Sequence, residues 1–454
     1  MNSISSKLEN SKIGKLLFQL ALPCMLAQLV NVLYNIVDRI FIGKLPGGEI
    51  AMAGVGISFP IIIIISAFSV LIGMGGAPLA AMKMGEKKND EAEKILSNSF
   101  STLIIIGIVL TVVFSIFKEP ILYAFGASQQ TIEYAIDYIG IYLLGTVFVQ
   151  LALGMTSFLN TQGFTKISMA AVMLGAGINI VLDPIFIFAF GLGVKGAALA
   201  TIIAQIASAL FVLKFLFGKK TILKIRKKYL LPKAKILIPV LSLGAAPFIM
   251  QSTESLVLIS LNTQLQAYGG DLAVSAMTIM TSIMQIILLP LNGLSQGAQP
   301  IISYNYGAKN INRVKSTIKL LIVCCITYTI VMTSILMVFP QVFVSIFNTE
   351  PALMAITTWS IRIYFIGITI FGAQIACQQS FLALGQAKTS LFLALLRKVI
   401  LLIPLIFILP CFFEDKLFGV LLAEPISDII AVIVTSTLFF IYYKTTLSKC
   451  VDVK

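Results

Sequence analysis

Uncharged apolar segments recur along the whole of this 454-residue chain and exclude a soluble fold. A helix needs about 20 apolar residues to span a bilayer. Several stretches without Asp, Glu, Lys or Arg are longer than that: 16–37, 50–82, 95–117, 138–165, 272–308, 320–349 and 363–387. Only 11% of the residues are charged, against about 25% in soluble domains. The sequence therefore predicts an integral membrane protein.

The apolar pattern predicts an all-α polytopic membrane protein with twelve transmembrane helices. The predicted helices lie near 16–43, 50–82, 94–117, 130–160, 167–190, 196–217, 236–265, 272–305, 318–340, 352–384, 389–413 and 417–443. The polar segment before the first helix is short, and nothing in it indicates a cleavable signal peptide. We therefore expect the first helix to stay in the membrane as the first span.

The distribution of charge predicts the orientation of the chain. The formal net charge is +14, but Lys and Arg concentrate in the tails and in the loops after even-numbered helices. The opposite loops contain only Lys44, Lys118, Lys195 and Lys416. Loops rich in Lys and Arg stay in the cytoplasm. We expect a multi-pass protein of the cell membrane with both termini cytoplasmic, and the basic charge does not indicate binding to nucleic acid.

The two halves of the chain resemble each other at a nearly constant offset of about 222 residues. GGEIAMAGVGI at 47–57 corresponds to GGDLAVSAMTI at 269–279, and SFLNTQGFTK at 157–166 to SFLALGQAK at 380–388. A loop signature recurs with identical spacings, as Gly75, Pro78, Gly85 and Lys87 and again as Gly297, Pro300, Gly307 and Lys309. Six helices in each half predict two pseudo-symmetric bundles that enter the membrane from the same side.

This pattern divides the chain into an N-terminal bundle at 1–217, a linker at 218–235 and a C-terminal bundle at 236–454. Transporters with such repeats place substrate between or within the halves. The linker, GKKTILKIRKKYLLPKAK, is dense in Lys and Arg. It fits either a plain cytoplasmic connection or a segment that binds anionic lipid headgroups.

Two carboxylates, Asp38 and Asp183, stand in segments that are otherwise apolar. An ionisable side chain at membrane depth costs roughly 2.5–3.5 kcal/mol on insertion scales, so such residues usually belong to a functional site. One stripe of the first helix carries further polar residues at spacings of three and four: Gln28, Asn31, Asn35 and Asp38. The pattern favours a cation or proton site. The alternative is structural, with Asp183 capping a helix break at Pro184 and Asp38 pairing with Arg39.

Residue types that are missing narrow the function further. The chain has no histidine, which excludes His-based proton relays and His metal sites. It also has no Gly-x-Ser-x-Gly elbow and no phosphate-binding Walker loop, so no enzyme and no cofactor are expected. Five of the six cysteines lie in apolar runs and Cys450 lies in the tail, without the spacing of a disulfide framework. Energy must come from an ion gradient or from a separate partner.

The motifs YNIVDRIFIG at 34–43, NIVLDPIFIF at 179–188 and GVKGAALATIIAQ at 193–205, with six helices per half, resemble the MATE (multidrug and toxic compound extrusion) transporters. The resemblance covers about residues 12–443. It implies two bundles in an outward-facing V shape and cation-coupled export of lipophilic, often cationic compounds. The cation site of the family falls on Asp38, Asn179, Asp183 and Thr201 here. Such oxygen donors could hold Na⁺ or share a proton, and the choice stays open.

Polar residues of the second half, with one asparagine and one tyrosine of the first, suggest a substrate or secondary site. They are Asn35, Tyr138, Glu254, Gln378, Arg397 and Glu424. Arg397 fits either a structural ion pair with Glu424 or Asp428, or a substrate contact. Glu254 is equally open between coupling or drug contact and a paired structural role. Tyr138, with Tyr142 one turn on, could hydrogen-bond cargo or the network of Asp183.

We therefore expect a multidrug efflux antiporter that exchanges drug-like cations for H⁺ or Na⁺, as a monomer surrounded by membrane lipids. The alternative is a flippase for a lipid-linked saccharide, from the same superfamily. Such a flippase must neutralise a pyrophosphate and needs a strongly cationic cavity. The four basic residues predicted in spans are outnumbered by acids, and this balance favours cationic cargo.

Overall fold

The computed structural model describes residues 2–347 and 350–449, and it describes only the backbone of residues 2–5. Secondary structure in this part of the chain is helical, without a strand. Its five cysteines are free thiols, and Cys450 lies outside the described residues. Helices suit a membrane because they satisfy their backbone hydrogen bonds within one segment.

The first half begins with a short helix that the sequence did not predict, α1 (Asn2–Asn10). The membrane-spanning helices that follow are α2 (Ile13–Gly43), α3 (Gly48–Gly85), α4 (Asn89–Ala124), α5 (Ile132–Leu144), α6 (Thr146–Thr161), α7 (Thr165–Pro184) and α8 (Gly193–Phe217). A π-helical turn, Ile185–Ala189, extends α7 beyond Pro184. The helices α5 and α6 form one bent span.

The second half consists of α9 (Ala234–Gly307), α10 (Ile311–Val338), α11 (Pro340–Ser345), α12 (Pro351–Tyr364), α13 (Ile368–Ala383), α14 (Ala387–Leu395), α15 (Ile403–Ile408) and α16 (Lys416–Tyr442). A π-helical segment, Leu396–Leu402, joins α14 to α15 in one span. The helices α12 and α13 form a bent pair, as α5 and α6 do in the first half.

The helix α9 is two spans in sequence. Its 74 residues would measure about 110 Å if straight, against about 30 Å of hydrocarbon. The backbone leaves the helical conformation at Gly270, with φ 62° and ψ −163°. In the described chain nine helices are long and apolar enough to span a membrane, and counting each bent pair as one span gives eleven spans. Because α9 contains two spans, the total equals the predicted twelve.

Two predicted helices, 130–160 and 352–384, are not continuous as expected. The chain bends by 60° between α5 and α6 and by 50° between α12 and α13. Both bends contain a glycine against which another helix packs. A Cβ atom on Gly145 would lie 2.7 Å from the side chain of Ile202, and one on Gly367 would lie 2.7 Å from Cβ of Asp428. The bends therefore bring α8 and α16 close, at equivalent positions of the repeat.

The backbone repeats the duplication seen in the sequence. Left-handed φ angles, which L side chains rarely adopt, occur at corresponding positions of the halves: Lys87 and Gly163 in the first, and Lys309 and Gly385 in the second. Even the two lysines of the loop signature share this conformation. The equivalent loops of the two halves therefore turn in the same way.

The two halves meet where α3 packs against α9. A Cβ atom on Gly85 would lie 2.0 Å from the carbonyl oxygen of Tyr304, and one on Gly307 would lie 2.0 Å from that of Met82. These contacts are equivalent in the repeat. The same end carries α1, where the carbonyl oxygen of Leu8 accepts from Asn305 Nδ2 at 3.1 Å. The halves are thus in backbone contact at the predicted cytoplasmic end.

The basic linker is an ordered strap held on the first half. Gln162 Oε1 accepts from the backbone nitrogen of Leu223 at 2.7 Å and of Ile222 at 3.0 Å. Glu93 accepts from the backbone nitrogen of Lys224 at 3.1 Å and from Arg226 Nε at 2.7 Å. Since α8 ends at residue 217 and α9 begins at 234, the strap matches the predicted linker closely. The division into two bundles at these boundaries stays a prediction.

Candidate functional site

Three helices bring the predicted ion-coupling residues of the first half together, with Asp38 close enough to Asp183 to interact electrostatically. Asp38 lies on α2, Asn179 and Asp183 lie one turn apart on α7, and Thr201 lies on α8. Asn179 Nδ2 donates to Asp183 Oδ1 at 3.1 Å and to Thr201 Oγ1 at 3.4 Å. The hydroxyl of Thr201 donates in turn to the carbonyl oxygen of Ala197 at 3.0 Å. We call these four residues the N-half cluster.

The N-half cluster is buried and contains oxygens without a donor. Asp183 is 0% exposed, and Asn179, Asp38 and Thr201 are all at most 9% exposed. Within the described residues, Asp38 Oδ1, Asp183 Oδ2 and Asn179 Oδ1 have no hydrogen-bond partner. A buried acceptor left unpaired costs about 1–3 kcal/mol, and more when it is charged. A proton or a cation bound at these oxygens would remove that cost.

Neither structural alternative for these carboxylates matches the described structure. The guanidinium of Arg39 lies over the ring of Phe59, 4.5 Å from its centre. Among the ion pairs of the described chain none involves Asp38 or Asp183. Asp183 accepts from a side chain on its own helix, and the chain continues past Pro184 into a π-helical turn. Asp38 thus lacks the predicted Arg39 partner, and Asp183 does not cap a helix end.

Two residues predicted near this site differ in their placement. Tyr138 is buried, lies close to Asp38 and Thr201, and stacks on Tyr142 with ring centres 6.3 Å apart. Asn35 is exposed, and its amide donates to the carbonyl oxygen of Asn31 on its own helix at 2.6 Å. The structure therefore brings Tyr138 to the N-half cluster, whereas Asn35 lies on the same stripe of α2 outside it.

The second half neutralises its buried carboxylates with an arginine. Arg397 Nε donates to Asp428 Oδ1 at 2.7 Å, and Arg397 Nη2 donates to Glu424 Oε1 at 3.0 Å. The guanidinium also lies 4.3 Å from the centre of the Phe371 ring. All three charged side chains are at most 8% exposed. The predicted ion pair is therefore present, and it includes both acids.

A second ion pair connects α9 to the π-helical segment after α14. Lys398 Nζ contacts the carboxylate of Glu254 and donates to the carbonyl oxygen of Met250 at 3.0 Å. Gln378 Nε2 donates to the carbonyl oxygen of Ser390 at 2.9 Å. Sequence reasoning placed Glu254 and Gln378 in the site and left out Lys398. Lys398 is a charged residue at membrane depth, and this property could have identified it from the sequence as a candidate site residue.

The two halves thus differ in electrostatics despite their common fold. Asp38 and Asp183 of the first half belong to no ion pair of the described structure, whereas the second half pairs Glu254, Glu424 and Asp428 with two cations. Carboxylate, amide and hydroxyl oxygens are hard ligands that suit Na⁺, and close carboxylates can also share a proton. The N-half cluster combines such oxygens with acceptors that have no hydrogen-bond partner in the described structure.

Comparisons with known proteins agree with the duplicated architecture. The MatE family model matches residues 23–185 and 245–408, one segment in each half. The chain is 28% identical to the multidrug export protein MepA of Staphylococcus haemolyticus, with 95% of both chains covered. It is 27% identical to the multidrug export protein MepA of Staphylococcus aureus (strain NCTC 8325), with 94% of both chains covered.

Solved structures show the same fold at lower sequence identity. A crystal structure of a MATE protein in the bent conformation superposes with a TM-score of 0.92, at 24% identity and 99% coverage of both chains. A MOP superfamily transporter from Pyrococcus furiosus, whose reverse polarity of the binding pocket suggests a different function, gives a TM-score of 0.91 at 24% identity and the same coverage. At this identity the likeness concerns the fold alone.

Proposed function

Because the chain belongs to the MATE family of membrane transporters, we propose that it is a multidrug efflux antiporter of the cell membrane. In this proposal it exports lipophilic, drug-like cations in exchange for H⁺ or Na⁺. The multidrug export proteins that it resembles over nearly their whole length support this cargo class. It works as a monomer among membrane lipids, with both termini in the cytoplasm.

The observation that carries the proposal is that no ion pair of the described structure includes Asp38 or Asp183. Asp38 and Asp183 each keep an oxygen that accepts no hydrogen bond. Leaving such groups ionised and unpaired at membrane depth is costly. A proton or Na⁺ that binds there removes the cost, so the occupancy of the cluster responds to the ion gradient.

Coupling follows if the ion and the cargo favour opposite states of the protein. A ligand shifts a conformational equilibrium only through its different affinity for the two states. The N-half cluster lies among α2, α7 and α8, and α2 also packs against the second part of α9. A change of charge on Asp38 therefore acts on a helix that contacts both halves.

The flippase alternative receives no support from the two buried basic residues of the spans, Arg397 and Lys398. Arg397 is held by two carboxylates and Lys398 by a third. A pyrophosphate would have to displace acids from both cations before it could bind. The charge of this region instead suits a cationic cargo.

The proposal is tested by efflux from vesicles that contain the purified protein and a fluorescent organic cation. A pH gradient and a Na⁺ gradient are imposed separately, with protein-free vesicles as the control. We expect one of the two gradients to drive dye movement against its concentration. If neither gradient changes the dye flux, the protein is not an ion-coupled antiporter for this cargo.

A further inference from the structure

Lys398 is a charged residue that the proposed coupling mechanism does not use. Its side chain is 8% exposed, whereas that of its partner Glu254 is 62% exposed. Glu254 lies in the middle of the first span of α9, at membrane depth. An ionised carboxylate there would be costly without a counter-charge, and the ammonium of Lys398 supplies one. The pair thus has an accessible acid and a buried base.

Beside this pair lies a small cavity with acceptors that have no donor. Lys398 lines it together with Met250, Gln374 and Gln378. Gln374 is 4% exposed. In the described part of the chain, Oε1 of Gln374 and Oε1 of Gln378 accept no hydrogen bond. Buried acceptors are normally paired, and these two lie within the cavity that the lysine borders.

The neighbouring arginine also lines this cavity, but two carboxylates hold its guanidinium. Arg397 is fixed between Asp428 and Glu424. Lys398, by contrast, carries three donors on a flexible four-carbon stem. Its ammonium has two partners in this structure, the carboxylate of Glu254 and the carbonyl oxygen of Met250. It is the cation of this region that is able to exchange partners.

We propose that Lys398 is a built-in competitor that occupies Glu254 until an organic cation displaces it. The cargo's positive charge then lies at Glu254, and the released ammonium donates to the amide oxygens of Gln374 and Gln378. The proposal rests on the proposed function and names the cargo class, which is a monovalent lipophilic cation. Because the competitor is tethered, its effective concentration at Glu254 is high, which weakens cargo binding and favours release.

The test is equilibrium binding of tetraphenylphosphonium to the purified protein in lipid nanodiscs, without any ion gradient. Lys398→Met and Lys398→Gln remove the competing charge, so both are expected to bind the probe several-fold more tightly than the wild type. Lys398→Arg keeps the charge and is expected to bind like the wild type. Glu254→Gln is expected to bind more weakly, alone or combined with Lys398→Met.

The control is Lys416→Met, which removes another lysine of the second half that lies over the ring of Tyr268 and should leave binding unchanged. Unchanged or weaker binding in the folded Lys398 variants would overturn the inference and make the pair purely structural. A wild type that binds no probe would overturn it too. Gradient-driven efflux by the same proteins reports separately on the proposed function, because binding here is measured without a gradient.

Discussion

At the scale of single residues, the two halves neutralise their buried acids in different ways. Asp38 and Asp183 have no cationic partner in the described structure, whereas Glu424 and Asp428 share Arg397. An acid whose counter-charge is fixed cannot report an ion gradient. An acid without a counter-charge must bind a mobile ion, or its ionised form carries a large free-energy cost at membrane depth. This difference is why we propose that coupling occurs in the first half.

Asp183→Asn is expected to abolish gradient-driven efflux while the folded yield stays near that of the wild type. The change preserves the shape of the side chain and removes the charge that binds the ion. Dye efflux and size-exclusion profiles measure the two effects. Asp137→Asn is the matched control, since Asp137 pairs with Lys195 at 3.3 Å outside the cluster. Near-native efflux by Asp183→Asn would exclude this residue from coupling.

Asp38→Asn should lose efflux as completely as Asp183→Asn, whereas Glu254→Gln should lose less. Asp38 belongs to the cluster that lacks a counter-charge, and Glu254 already contacts Lys398. Initial rates of dye efflux at a fixed gradient compare the two variants. An equal or larger loss for Glu254→Gln would place the coupling site in the second half.

Arg397→Ala is expected to destabilise the protein by about 3–5 kcal/mol, because it leaves buried carboxylates uncompensated. Combining Arg397→Met with Glu424→Gln and Asp428→Asn removes all three charges and should recover much of the folded yield. Combining Arg397→Met with Glu424→Gln alone should recover less, since Asp428 also bonds the guanidinium. Thermal unfolding in detergent measures the series. Full stability of Arg397→Ala would contradict a structural role for the pair.

The sequence predicts some of these contacts and not others for a geometric reason. Helical spacing places Asn179 above Asp183, and a charge at membrane depth marks Asp38 and Arg397 as residues that need partners. The contact between Glu254 and Lys398 joins residues far apart in the chain. Periodicity shows which residues share a stripe of one helix, but it does not show which stripes of two helices face each other.

At the scale of helices, the bends and the contacts between the halves depend on glycine. The straight helices predicted at 130–160 and 352–384 are each broken. Both breaks contain a glycine of the repeat, Gly145 and Gly367, where another helix packs within contact distance of the missing side chain. The apolar composition is the same on both sides of each break, so hydrophobicity alone could not predict it.

Gly85→Ala and Gly307→Ala are expected to separate the halves at the end that carries α1. The new Cβ atoms would lie 2.0 Å from the carbonyl oxygens of Tyr304 and Met82, which are backbone atoms and cannot rotate away. Spin labels at the exposed residues Lys87 and Lys309 measure the separation by pulsed electron resonance. We expect a population at longer distance than in the labelled wild type.

Gly177→Ala is the control for this prediction, because a Cβ atom there would have no neighbour within 4 Å. Its label distances should equal those of the wild type. Unchanged distances in Gly85→Ala and Gly307→Ala would mean that the close contact between α3 and α9 does not hold this end together.

At the scale of the whole molecule, the two halves share a duplicated fold but differ in their buried charged residues. The equivalent turns at Lys87 and Lys309 show how closely the backbones correspond. The sites do not correspond, since Glu424 occupies the repeat position of Thr201 and is bound by Arg397. In this account the first half binds the coupling ion, and the second half presents Glu254 to the cargo.

The most direct test of this account measures the ion that moves when cargo moves. Vesicles containing the purified protein are given a gradient of an organic cation and no ion gradient, and a pH-sensitive or Na⁺-sensitive dye is recorded. The account predicts that downhill cargo drives H⁺ or Na⁺ in the opposite direction in the wild type and not in Asp183→Asn. Cargo flux without any counter-ion flux, or counter-ion flux that persists in Asp183→Asn, would contradict it.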